Sequence, residues 1–64
     1  MVKINGKQEE AAGRTIAEYL EAAGYRTDYI VVERNLEIVP KTEYAATVLQ
    51  EGDEVEIVSF MGGG

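Results

Sequence analysis

The segment "TIAEYLEAAG" limits what this chain can fold into more than any other, because it is the one stretch that reads as a good helix. Thr15 is a natural N-cap, and Glu18 three residues later completes a capping box. Ile16, Tyr19, Leu20 and Ala23 fall at i, i+3, i+4 and i+7, which gives a single apolar face for burial. Gly24 suits the left-handed residue after the last turn. Glu18 and Glu21 point away from that face, as a solvated helix surface rather than a catalytic carboxylate pair. One helix with one apolar stripe cannot enclose a core alone. A sheet has to cover it.

The rest of the chain supplies that sheet. Val2 and Ile4 alternate with polar neighbours as a short strand, and Asn5-Gly6 is a hairpin signal. A second strand is expected around Gln8 to Ala12, on an edge because its β-propensity is poor. "YIVVER" (Tyr29 to Arg34) is dense enough in apolar residues to be covered on both faces. After an Asn35-Leu36 turn, "EIVP" resumes as a strand that Pro40 ends. One helical turn is expected near Thr42 to Ala45, then an extended piece, with Tyr44, Val48 and Leu49 beneath the sheet. "EGD" makes a turn before the last strand, "EVEIVSF". First and last strands as central neighbours give an α+β roll of the β-grasp type. One main helix then packs on a mixed four- to five-stranded sheet.

Inventory removes whole classes of chemistry. The 64-residue chain has no cysteine and no histidine, which excludes zinc sites built on them, thiol nucleophiles and Ser-His-Asp triads. Ser59 has no histidine to activate it, and Asp53 and Glu54 sit in a turn where capping or solvation is the ordinary role. The expectation is a protein that binds no metal or cofactor and is not an enzyme. Twelve acids against six scattered bases, net −6, argue against nucleic acid or an anionic membrane as partner. No stretch approaches the roughly 20 apolar residues of a membrane span, and the start does not resemble a signal peptide. A cytoplasmic protein, monomeric alone, is expected.

The chain finishes on "SFMGGG". Three glycines cannot anchor a fold, and a frayed end or cloning remnant would account for them. They would equally allow a bare, extended backbone to thread a narrow channel in another protein. The domain reading is therefore 1–61 as the β-grasp body and 62–64 as a flexible glycine tail. The α-carboxylate of Gly64 is then the one reactive group left, inert until its oxygen becomes a leaving group.

With these features the chain resembles the thiamine-biosynthesis sulfur carrier (ThiS) family, small relatives of ubiquitin, over essentially its whole length. The stretches that carry the likeness are "INGK" at Ile4 to Lys7, "EIVPKTEY" at Glu37 to Tyr44 and "TVLQEGDEVEIVSFMGGG" from Thr47 to Gly64. Asn35-Leu36 stands where the family often has Asn-Gly, and Tyr44 where tryptophan is more usual. The resemblance implies that an E1-like adenylyltransferase uses ATP to make an acyl-adenylate of the C-terminus. Persulfide sulfur then replaces AMP, and thiazole synthase draws on the resulting thiocarboxylate. Gly63 and Gly64 would be the defining diglycine, with Gly62 in the tail and Gly64 bearing the sulfur.

Three other readings share parts of this pattern. A molybdopterin-synthase small subunit also ends in a diglycine thiocarboxylate, but such chains are usually longer, with a proline before the diglycine that "VSFMGGG" lacks. A ubiquitin-like protein modifier shares the adenylation chemistry, and a non-reactive interaction domain would carry the tail incidentally. For docking, alternation places Val55 and Ile57 on one side of the last strand and Val58 and Phe60 on the other. Phe60 and Val58, with Met61 and Glu56, are the candidate docking residues on the sheet face opposite the helix. The competing reading buries Phe60 and Val58 in the core.

Overall fold

Five strands and one helix are built by residues 1–60, the part that the computed structural model describes. Strands β1 (Val2–Ile4) and β2 (Lys7–Glu9) form a hairpin, followed by α1 (Ile16–Ala23). Strands β3 (Ile30–Arg34) and β4 (Glu37–Val39) form a second hairpin, and β5 (Glu54–Ser59) closes the order. The sheet runs β2-β1-β5-β3-β4, with β1 and β5 parallel and every other pair antiparallel. The last strand thus lies at the centre, next to the first, and β2 is an edge. This is the β-grasp arrangement.

Local chemistry explains each element. Thr15 Oγ1 accepts the Glu18 N–H at 3.1 Å, and Glu18 Oε1 accepts the Thr15 N–H at 2.9 Å, so the capping box is complete. Gly24 at φ 84 turns the chain out of α1, and the Tyr25 N–H closes onto the Leu20 carbonyl at 2.9 Å. Both hairpins use two consecutive residues at positive φ, Asn5 (51) and Gly6 (85) in one, Asn35 (53) and Leu36 (70) in the other. That is the handedness which matches strand twist in two-residue hairpins. A leucine at such a φ carries a steric cost of about 1–2 kcal/mol.

The core lies between α1 and one face of the sheet. Leu20, Val2, Val32 and Leu49 are its most fully buried side chains, joined by Ile4, Ile16, Tyr44, Val55 and Ile57. Four expectations need correction. β3 is covered on one face only: Ile30 and Val32 are buried, while Val31 is half-buried and Tyr29 exposed, because α1 packs on the other side. Ala23 is exposed, facing a groove lined also by Gln8 and Glu9, since the short polar β2 does not reach over the last helical turn. Val48 bridges to Thr15 in extended backbone, which turns its side chain outward and Leu49 inward. The second strand stops at Glu9 rather than Ala12, and Ala11 turns into the core. The expected helical turn is present as a 3-10 turn over Lys41–Glu43, and a second one, Thr27–Tyr29, precedes β3.

Candidate functional site

Everything about the candidate site follows from how β5 is held. The parallel ladder with β1 ends at Ile4 and Val55, yet the next residue of β1 continues it with a side chain. Asn5 Oδ1 accepts the Ile57 N–H at 2.7 Å, and Asn5 Nδ2 donates to the Ile57 carbonyl at 3.2 Å. At the start of β5, Asn35 Oδ1 accepts the Glu54 N–H at 3.0 Å, and its own N–H donates to the Glu54 carbonyl at 2.7 Å. Two turn asparagines therefore clamp the central strand from either side. At its far end the Phe60 N–H donates to the Tyr29 carbonyl at 2.8 Å, one pair beyond the strand itself. Met61, Gly62, Gly63 and Gly64 lie outside the described residues.

A partly buried ion pair fixes the turn that feeds this strand. Asp53 Oδ2 accepts from Arg34 Nε at 2.8 Å and from the Gln50 N–H at 2.9 Å, while Oδ1 accepts from Asn35 Nδ2 at 3.1 Å. Burial pushes this carboxyl upward. The bonds from Arg34, Gln50 and Asn35, with the Arg34 charge, outweigh burial and hold it below its ordinary value. Asp53 is thus structural, a buried acceptor rather than a solvated turn residue.

The sheet face away from α1 is open. Phe60 is 48% and Val58 56% exposed, so both lie outside the core, while Val55 and Ile57 are inside it. Register sets their neighbours: Val58 is opposite Val31, and the pattern continued by one step places Phe60 beside Tyr29. The Arg26 guanidinium stands 5.5 Å from the Tyr29 ring centroid. Further from the tail, Glu56 is directly opposite Glu33, which is opposite Ile38 on β4, and Glu54 is opposite Lys3. Like charges facing across a pair weaken a sheet slightly. The face thus has an apolar end where β5 finishes and an acidic middle.

Tyr29, Val31 and Glu33 complete this face although sequence reasoning did not single them out. Alternation from Ile30 and Val32 would have placed them there, but their pairing with β5 depends on a register that composition does not carry. Among the described residues, no group of three or more His, Cys, Asp or Glu side chains is placed to hold a metal, and no helix is long and apolar enough to cross a membrane. The arrangement leaves one sheet face open up to the point where β5 ends.

Known proteins share this arrangement. A sequence model of the ThiS family matches residues 2–64. A thiazole synthase from Paramagnetospirillum magneticum is 45% identical over 62 residues, covering 95% of this chain but only 19% of that protein's length. The sulfur carrier protein ThiS of Bacillus subtilis is 37% identical over 67 residues, covering 100% of both chains. The crystal structure of a thiamine biosynthesis protein (ThiS) from Geobacter metallireducens superposes with a TM-score of 0.78 at 34% identity, over 98% of this chain and 97% of that one.

Proposed function

The chain belongs to the ThiS family, and from that premise we propose that it is a sulfur carrier of thiamine biosynthesis whose working group is the Gly64 carboxylate. The observation that carries this reading is the delivery of the chain end. The central, doubly clamped β5 leads to "MGGG" with Phe60 and Val58 exposed beside it. A rigid strand fixes where the tail leaves the body, and the glycines present only backbone to a partner's channel.

The chemistry is supplied by partners. On an adenylating enzyme, a Gly64 carboxylate oxygen attacks the α-phosphorus of ATP and pyrophosphate leaves. The terminal sulfur of a donor persulfide then attacks the acyl carbon and AMP leaves. A thiol cleaves the S–S bond of the resulting acyl disulfide, itself ending as a disulfide, and the Gly64 thiocarboxylate so released is consumed by thiazole synthase. ATP is the partner's substrate, and this chain supplies the carboxylate and the docking face. Phe60, Val58 and Met61 give apolar contact next to the tail. Glu56 with Glu33 steers a basic surface into register.

ATP–pyrophosphate exchange with the cognate adenylating enzyme tests this. A chain extended by one residue beyond Gly64 has its carboxyl in a peptide bond and should give no exchange. Phe60→Ser should lower exchange about tenfold, the scale of one lost interfacial anchor, with a melting temperature close to the parent's. Native-rate exchange by the extended chain would overturn the proposal. Unfolding by Phe60→Ser would place that side chain in the core rather than on a docking face.

A further inference from the structure

The tip of the β3–β4 hairpin holds a residue that nothing among the described residues explains. Leu36 occupies the second turn position at φ 70, where side chains are disfavoured, and its side chain is 93% exposed. A lone exposed leucine is ordinary on a protein surface. A leucine that is both exposed and held in left-handed backbone is different, because no intrachain packing offsets its conformational cost. Glycine would meet the turn's geometry without that cost. The surroundings are specific too: Leu36 borders a shallow notch together with Glu33, Asn35, Glu54 and Glu56. An exposed aliphatic side chain therefore stands next to three carboxylates.

We infer that Leu36 is an anchor for thiazole synthase, entering an apolar socket on that enzyme whose rim carries basic groups facing Glu33, Glu54 and Glu56. This rests on the partner proposed above. Both partners must take the tail, so the apolar end at Phe60 cannot distinguish them. Leu36 lies beside Glu54 at the other end of β5, about 20 Å from Phe60 at roughly 3.3 Å per residue, where two enzymes can differ in what they touch. Thiazole synthase is the better-supported occupant. Two relatives that match 95% and 98% of this chain are thiazole synthases, of whose length the match spans 19% and 20%, so a segment like this one is held beside that enzyme in a single polypeptide. The three carboxylates call for a basic counterpart, and it would set the register of the hairpin tip in the socket.

The test compares the full chain with Leu36→Gly and Leu36→Asn, both compatible with left-handed backbone. Three readouts are needed: the melting temperature, the Kd for cognate thiazole synthase by titration calorimetry, and ATP–pyrophosphate exchange. Leu36→Gly should melt about 4 °C higher. Both variants should bind thiazole synthase at least tenfold more weakly, and exchange should stay within about twofold of the parent. Parent-like affinity for thiazole synthase in both variants would overturn the inference, and so would an equal loss in exchange, which would move the anchor to the adenylating enzyme. Failure of the parent chain itself to bind thiazole synthase would instead sink the proposed partner, and this inference with it.

Discussion

Asp53 sits almost wholly out of water, in a turn whose sequence, Glu51-Gly52-Asp53, reads as solvent-facing. Its carboxylate collects donors from three directions, Arg34, Asn35 and the Gln50 amide, and so ties the β3–β4 hairpin to the entry of β5. Its folded pKa lies below the ordinary 3.8, so the ionised form is favoured in the native state. The stability this contributes is present above 3.8 and is lost as pH falls below it, through the folded value. Asp53→Asn keeps the shape but removes the charge and turns an amide toward Arg34, which should cost about 2 kcal/mol in urea unfolding at neutral pH. The gap between variant and parent should narrow as the pH is lowered below 3.8, through the folded value. An unchanged gap at acid pH would mean that the charge contributes nothing. At the alkaline end the sign reverses for Tyr44: burial raises its phenol above 10.0 despite Lys41 and a backbone bond from Val32. Its contribution therefore persists to pH 10 and is lost above it.

At the scale of elements, the strand that matters most is held by side chains from turns. Asn5 serves two purposes, adopting φ 51 in the hairpin and bonding both backbone groups of Ile57. Asn5→Gly keeps the turn but deletes both bonds and should destabilise by about 2 kcal/mol. Asn5→Ala should cost somewhat more, because alanine is also strained at that φ. If Asn5→Gly unfolds like the parent in urea, the clamp is idle and Asn5 serves only the turn. Such a role was not legible in "INGK", where Asn-Gly announces a hairpin and nothing more. Helix α1 was legible because its determinants are local: the Thr15–Glu18 box, the Ile16–Leu20 spacing and Gly24. Val48, Ala23 and the second face of β3 were misread for a common reason. Their surroundings are set by neighbours distant in sequence, and apolar composition says that a residue can be buried without saying that anything arrives to bury it. Phe60 and Val58 were placed correctly relative to Val55 and Ile57 by simple alternation. Their companions Tyr29 and Val31 required the β3–β5 register.

Taken whole, the molecule divides its labour between two faces of one sheet. One face packs α1 and carries the stability, and the other is open, with an apolar end, an acidic centre and the exposed Leu36 at its far end. With a net charge of −6 and neither cysteine nor histidine, the chain brings little chemistry of its own beyond the group at the end of the glycines. On the proposed reading it brings that group at the end of a clamped central strand, together with an open sheet face for partners to dock on. The measurement that bears most directly on this role is the intact mass of the protein isolated from its own cells during active thiamine synthesis. A fraction heavier by the replacement of one oxygen with sulfur, located by fragmentation to Gly64, is the expected result. A single unmodified mass under those conditions, or sulfur located anywhere other than Gly64, would contradict it.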